Sequence, residues 1–262
     1  MSNIKEKEDT AEQLYDAMEV GLTTFPDAEM ERMLHRTRQF METIVDYKEL
    51  MMMYTCAMKE VQTKFDILNT EFRVRYRRNP IASISTRLKT TASIAEKLAK
   101  FGCGLSVANI EKHIHDVGGV RVICSYIDDI YRIADALLAQ DDITLLRKKD
   151  YIAAPKPNGY RSLHLIVTVP VFFADRKLDM KVEVQIRTIA MDLWASLEHQ
   201  MKYKQEIPDQ EAIAEELRQC AETIRETDER MLHLRERIEA AEDLPTEEDL
   251  LYEKLSRIDI RI

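Results

Sequence analysis

No stretch of this 262-residue sequence approaches the ~20 consecutive apolar residues that a membrane-spanning helix needs. Cysteine is scarce: the four, Cys56, Cys103, Cys124 and Cys220, include no C-x-x-C pair and no secreted disulfide pattern. They are expected to be reduced and mostly packed. Six glycines and seven prolines exclude collagen-like, linker-rich and low-complexity chains. The segment from Met1 to Thr10 is polar and lacks the apolar stretch of a signal peptide, so a cytoplasmic protein without membrane contact is expected.

What is present is 45% hydrophobic and 32% charged, ample for a full core. The net charge of −9 argues against a general nucleic-acid coat. That charge is unevenly spread. Between Glu71 and Arg161 stand 16 Lys/Arg against 10 Asp/Glu, whereas from Gln205 to Ile262 there are 8 against 18. Cations gathered in the middle of an acidic chain fit a compact anion such as a nucleotide phosphate, although charge also fluctuates along any chain.

Periodicity divides the chain into three regions. Residues 10–76 read as helical, with apolar residues at helical spacing from Met30 through Phe40, Met58, Val61 and Phe65 to Phe72. Pro26-Asp27 supplies a start and Asn79-Pro80 a stop. The middle region continues as helix through Ile94–Phe101 and Val107–His113, with Gly102 and Gly104 as a stop. Strand-like runs follow at Gly119–Tyr126, Ile143–Leu146, Ser162–Val171 and Met180–Ile186, with a helix at Asp128–Leu138 and another at Thr188–Lys204. The segment from Ala153 to Gly159, with Pro155 and Pro157, is expected to be an exposed, partly stiff loop. The last region is an acidic helix with a 4-3-4-3 seam through Ile213, Leu217, Cys220, Ile224, Thr227, Met231, Leu234, Ile238 and Ala241. Such a seam needs a partner, either the chain's own N-terminal helices or a second copy.

The strands carry polar residues on one face. Period two puts Val182, Val184 and Ile186 on one side and Lys181, Glu183, Gln185 and Arg187 on the other. Tyr160, Ser162 and His164 likewise oppose Leu163, Leu165 and Val167. An exposed edge strand alternates in the same way, but two such strands side by side make a polar wall. Asp116-Val-Gly-Gly-Val-Arg121 enters the first strand with glycines that allow close backbone approach, an acid suited to a metal and an arginine suited to phosphate. Arg87, Lys89, Ser93 and Lys97 add cations and a hydroxyl, with Ser93 and Lys97 on one helix face.

Three ordered segments now resemble one family: His113-Ile-His-Asp-Val-Gly-Gly-Val-Arg-Val-Ile-Cys, then Lys149-Asp-Tyr-Ile with Gly159-Tyr-Arg-Ser-Leu-His, then Val182-Glu-Val-Gln-Ile-Arg-Thr, continued by Trp194-Ala-Ser-Leu-Glu-His. They are similar to the synthetase domain of the RelA/SpoT family over residues 65–203. At 262 residues the chain resembles the small alarmone synthetases, without the hydrolase and regulatory domains of long members. The resemblance implies a mixed α/β (α+β) nucleotidyltransferase-like sheet flanked by helices, with an N-terminal helical extension (1–64), a synthetase domain (65–204) and an acidic C-terminal extension (205–262). It implies transfer of the β,γ-diphosphate of ATP to the 3′-hydroxyl of GDP or GTP, giving ppGpp or pppGpp and AMP, with Mg²⁺. Arg87, Lys89, Ser93, Lys97, Arg121 and Lys149 match ATP-holding positions. Asp116 and Glu183 match the acidic pair that holds the metal, Glu183 also taking the proton of the attacking hydroxyl. Lys156, Tyr160, His164, Gln185 and Asp192 match the side of the guanine nucleotide, with Tyr160 stacking on the base. Two positions depart from a common pattern: Lys149 replaces an arginine and Asp192 an asparagine. A homo-oligomer, by resemblance a tetramer, and regulation by RNA or an alarmone are further expectations.

Rival readings are an HD phosphohydrolase centred on His115-Asp116, an acidic pair at Asp128-Asp129, a sensor that has lost its chemistry, and RNA binding through Arg73, Arg75, Arg77 and Arg78. The first lacks further helical ligands, the second reads better as a helix N-cap, and the third should have lost Asp116 or Glu183. The fourth has a solvated helix end as its ordinary counterpart.

Overall fold

A computed structural model describes residues 27–76, 78–202 and 209–242. The chain divides into two compact units, Met1–Leu50 and Met51–Ile262. In chain order the elements are α1 (Asp27–Arg75), β1 (Ile81–Leu88), α2 (Thr91–Lys100), α3 (Val107–His113), β2 (Gly118–Cys124), α4 (Ile127–Leu138), β3 (Thr144–Asp150), β4 (Leu163–Phe172), β5 (Lys177–Thr188), α5 (Ile189–Lys202) and α6 (Gln210–Glu242). The class is the expected α+β. In the first unit, Met33, Leu34, Phe40, Met41 and Val45 of α1 are exposed.

The second unit is organised by one sheet of order β1-β2-β5-β4-β3. The β2–β5 pair is parallel and every other neighbouring pair is antiparallel. Alternation decides its faces. Leu163, Leu165, Val167, Val169 and Val171 of β4 and Val182, Val184 and Ile186 of β5 are buried. The buried helical stripe of Tyr54, Met58, Val61, Phe65, Leu68 and Phe72, and Ile130, Ile133 and Leu137 of α4, complete this core. Each such side chain contributes about 2 kcal/mol by leaving water. At the start of β2, a side chain on Gly118 would meet Met58 at 3.1 Å, so the strand entry passes close beneath α1.

Several boundaries differ from the sequence expectation for identifiable reasons. The strand β1 has one buried residue, Ile81, and lies at the sheet edge, so it lacks the alternation by which strands are recognised. The strand β3 extends through Arg147, Lys148 and Lys149, whose charge hides a strand at the opposite edge. Gly102 does end α2, with φ of 67°. Asp128 and Asp129 are not N-caps: Tyr126 occupies that position without a side-chain cap bond, and both acids fall in the first turn of α4. Distant arginines claim them instead. Asp129 is buried and accepts from Arg78 at 2.7 Å, and Asp128 accepts both Arg235 nitrogens at 2.8 and 3.0 Å.

Among the described residues, the C-terminal seam is not packed as a whole against the chain's own elements. The inward face of α6 is instead the row of Ala221, Asp228 and Arg235, packed on α5 and α4. Met231, Leu234 and Ile238 are left exposed. The helical readings of residues 10–26 and 203–204, Arg77 in the basic cluster and the side chain of Ala241 lie outside the described residues.

The Arg235 contact has a testable pH signature. Burial alone would raise the Asp128 carboxyl, but Arg235 outweighs it and holds the group below its ordinary value. Its contribution is present above the unfolded carboxylate pKa and is lost as pH falls through the lower folded value. Arg235→Ala is expected to cost about 1–2 kcal/mol at neutral pH, with the gap to wild type closing in acid. Denaturant melts across pH check this, and a gap that widens in acid would contradict it.

Candidate active site

The polar face of the sheet carries a row that crosses all five strands. Ser85 on β1 pairs with Arg121 on β2, Arg121 with Gln185 on β5, Gln185 with His164 on β4, and His164 with Lys149 on β3. One residue pair along, Arg87 lies opposite Gly119 and Gly119 opposite Glu183. The parallel β2–β5 pair thus sets Glu183 beside the strand that Asp116 precedes.

Two clefts open on this face. The first, about 440 Å³, is lined by Arg87, Lys89, Arg121, Asp116, Glu183 and Gln185 among others. The second, about 340 Å³, is lined by Lys97, Arg147, Lys149, Lys156, His113, His115, His164, Tyr151 and Phe101. Asp116 and Glu183 also line the second cleft, and they are the residues common to both.

The two carboxylates are held differently. Asp116 accepts Lys97 at 2.8 Å on one oxygen and Lys89 at 2.9 Å on the other. Burial would raise its pKa, but the two lysines prevail and hold it below the usual carboxylate range. Glu183 accepts from His164 Nδ1 at 3.2 Å and from Gln185 Nε2 at 2.9 Å. Here too burial opposes ionisation and hydrogen bonds from His164 and Gln185 win, so Glu183 is ionised at neutral pH. Glu183 is therefore unable to give up a proton there but ready to accept one.

Behind Glu183 runs a hydrogen-bonded chain. The Tyr160 hydroxyl lies 2.8 Å from His164 Nε2 and accepts from Arg187 at 3.2 Å. With its proton on Nδ1, His164 donates to Glu183 while accepting from Tyr160, the tautomer the network favours. Arg187 is 3% exposed and also donates to Gln185 at 2.9 Å and Asp192 at 3.2 Å. The Lys156 ammonium lies 4.5 Å above the Tyr160 ring and 4.7 Å from that of Tyr151. A base stacking on that face of Tyr160 would take the place of Lys156.

Residues 86–208 match the family model described as a region found in RelA / SpoT proteins. GTP pyrophosphokinase YwaC of Bacillus subtilis is 42% identical over 196 residues, covering 74% of this chain and 92% of that protein. The chain belongs to the RelA/SpoT family. Its fold agrees with crystal structures of two Bacillus subtilis proteins. Small alarmone synthetase 2 matches with TM-score 0.66 and 43% identity over 73% of this chain and 99% of that one. Small alarmone synthetase 1, bound to its product pppGpp, matches with TM-score 0.67 and 32% identity over 74% and 98%. Within the RelA/SpoT family the chain therefore stands among the small alarmone synthetases.

The structure brings most of the residues expected from this RelA/SpoT resemblance together, with some redistribution. Arg87, Lys89 and Arg121 line the first cleft. Lys97 lines the second while gripping Asp116. Lys149, expected with ATP, lines the second cleft beside Lys156 and His164. Ser93 lies in the first turn of α2, where its Oγ accepts from the Thr90 hydroxyl at 3.0 Å. The Asp192 carboxylate is approached at Oδ1 by Arg187 and, at 3.5 Å, by Arg121.

Sequence reasoning placed Arg187 on the polar face and weighed His115 only as a phosphohydrolase centre, giving neither a role in this site, and it did not single out Arg147. The strand alternation of Glu183 and Gln185 marked Arg187 as their neighbour on that face, but not its bonds to Tyr160, Gln185 and Asp192. Arg147 shares the alternation of Lys149, once β3 is seen to continue so far. His115 Nδ1 is buried without a hydrogen-bond partner, and burial, together with Lys181, Arg147 and Lys97, keeps its pKa low. Of the basic cluster at the end of α1, Arg75 pairs with Glu71 and Arg78 with Asp129, which leaves less charge for RNA.

No cluster of three or more metal-ligating side chains occurs among the described residues. The Asp116–Glu183 pair nevertheless fits Mg²⁺, a hard cation commonly held by one or two carboxylates together with water and substrate phosphates.

Proposed function

We propose that the first cleft takes ATP and the second GDP or GTP, and that the β,γ-diphosphate passes between them to the guanosine 3′-hydroxyl. The observation that carries this reading is that two cation-lined clefts have Asp116 and Glu183 as their shared residues. A diphosphate transfer needs one polyphosphate in each cleft and a base where they meet. The 3′-oxygen attacks the β-phosphorus of ATP, the bond from that phosphorus to the bridging oxygen of the α-phosphate breaks, and AMP leaves. Glu183 takes the hydroxyl proton.

Arg87 and Lys89 in the first cleft neutralise the donor phosphates, joined by Lys97 from the second cleft where it meets the shared Asp116, with Ser93 one turn before Lys97, and Arg121 stacks on adenine. Lys149, Lys156 and Arg147 face the acceptor phosphates. His164 orients Glu183, and Gln185 holds its second oxygen. Tyr160 stacks on guanine once Lys156 has moved to a phosphate, and Asp192 offers Oδ2 to the base. Asp116 and Glu183 would hold Mg²⁺, which supplies charge neutralisation across the two polyphosphates. The YwaC name and the pppGpp bound by small alarmone synthetase 1 support the choice of guanine nucleotide. A cytoplasmic setting, where both nucleotides are available, is part of this proposal.

The deciding experiment incubates the protein with γ-labelled ATP, Mg²⁺ and GDP or GTP. Label in a guanosine tetra- or pentaphosphate with stoichiometric AMP is expected. Label remaining in ATP, despite nucleotide binding by calorimetry, would turn the reading toward a sensor.

We further propose that residues 65–204 are the synthetase domain and that the flanking extensions assemble it into a homo-oligomer, a tetramer by resemblance, open to control by RNA or an alarmone. The exposed Met231, Leu234 and Ile238 of α6 support an assembly face. Changing all three to Glu is expected to lower the mass in light scattering without lowering the Tm. An unchanged mass would place the contact elsewhere.

A further inference from the structure

The loop that carries Tyr160 ends against a helix from the far end of the chain. Gly159 has φ of 87°, and a Cβ built there would lie 2.5 Å from the Ala221 Cβ of α6. Two residues on, Arg161 donates to the Ala221 carbonyl at 3.2 Å and to the Glu222 carboxylate at 3.2 Å. Both chain neighbours of Tyr160 are therefore held by the same turn of α6. That turn is itself anchored on the core. The Trp194 indole donates to the Leu217 carbonyl at 2.8 Å, and the Thr188 hydroxyl to the buried Asp228 at 2.6 Å. Between Gly159, Arg161, Trp194, Ala221 and Ile224 only about 10 Å³ of space remains.

The rest of the loop is held more locally. Its bonds are turn contacts such as Lys156 N to Tyr160 O and Gly159 N to Lys156 O, with Asn158 to Glu198 on α5. Residues 153–157 are exposed. A stacking residue on such a loop gives affinity only if its ring is already in place, because ordering it on binding subtracts from the gain.

We propose that α6 is a latch for the guanine-reading loop, with Gly159, Arg161 and Ala221 as positioning residues for Tyr160. This rests on Tyr160 receiving guanine, as set out above. The latch acts on the acceptor side: Arg87, Lys89 and Asp116 of the first cleft belong to β1 and the segments after β1 and before β2, and none of the α6 contacts just described involves them. Its removal is therefore expected to weaken the guanine nucleotide and spare ATP.

The test uses the full chain with Arg161→Gln, Arg161→Lys and Gly159→Ala. Three quantities are read: KM for GDP, KM for ATP, and hydrogen exchange of residues 152–162 without nucleotide. Arg161→Gln and Gly159→Ala are each expected to raise KM for GDP about tenfold, the value of one charge-assisted bond or of one steric displacement at this scale. KM for ATP should stay within about twofold, and exchange across 152–162 should quicken while β2 and β5 keep their protection. Arg161→Lys keeps a cation for the Ala221 carbonyl and the Glu222 carboxylate, so it should retain most of the GDP affinity that Arg161→Gln loses, which a general loss of stability would not do. Should either single variant fail to fold, Glu222→Ala, on an exposed side chain, is expected to quicken loop exchange and raise KM for GDP about threefold.

Unchanged loop exchange, an equal rise in both KM values, or Arg161→Lys no better than Arg161→Gln would each overturn the latch. Faster exchange with both KM values unchanged would instead overturn the assignment of guanine to Tyr160.

Discussion

Glu183→Gln is expected to lower kcat by about three orders of magnitude, the usual worth of a positioned general base, with binding of ATP and GDP retained. The amide has nearly the same volume and keeps an oxygen for His164 Nδ1, so the wall of the cleft survives. It loses the basic site. It also meets a conflict, because Gln185 presents its amide nitrogen to that position while its oxygen already accepts from Arg187. Two amide nitrogens would face each other, and one side chain must turn over. Single-turnover kinetics with calorimetric binding of each nucleotide separates chemistry from affinity. Wild-type turnover in this variant would falsify the role given to Glu183.

The second large effect falls on binding rather than chemistry. Tyr160→Ala is expected to raise KM for GDP or GTP by about 10- to 100-fold, since stacking a base on an aromatic ring is worth about 1–3 kcal/mol. KM for ATP should change little. A smaller drop in kcat should accompany it, because the hydroxyl that fixes the His164 tautomer is lost. Tyr160→Phe divides the two roles: it keeps the stacking face, so KM for the guanine nucleotide stays near wild type while the drop in kcat remains. Initial rates with each nucleotide varied in turn check both, and equal effects of Tyr160→Ala on the two KM values would refute the stacking role.

Much of this site was legible because it lies on strands with clean alternation. Val182, Val184 and Ile186 announce a buried face, and the residues between them, Glu183 and Gln185, then have no choice but the other side. The same reasoning placed His164. It failed where alternation fails. The edge strand β1 buries only Ile81, so nothing in Ile81–Leu88 distinguishes it from a loop, although it carries Arg87 into the first cleft. The charges of Arg147, Lys148 and Lys149 concealed the end of β3, and with it the side of the site on which Lys149 stands. The helix α6 was legible as a helix, but its apolar seam packs only in part: Ile224 lies against Trp194, whereas Met231, Leu234 and Ile238 are exposed. Ala221 and Asp228, one small and one polar, are buried there, with Arg161 donating to the Ala221 carbonyl and Thr188 to Asp228, while Trp194 donates to the Leu217 carbonyl one turn away. A pattern of hydrophobic spacing cannot register a contact made by an indole N–H, a hydroxyl and a guanidinium.

The double grip of Lys97 and Lys89 on Asp116 also governs how the site fills. In the free protein each carboxylate oxygen has an ammonium as its counter-ion, so a divalent cation arriving alone competes with two tethered charges. On the proposed reading, a polyphosphate bound at Lys89 and Lys97 would draw those ammonium groups toward itself and leave the carboxylate open to a cation. The two binding events are then thermodynamically linked, and each strengthens the other by the same factor. On that reading, the lysines would thus act as place-holders that balance the carboxylates' charge until donor and metal bind together.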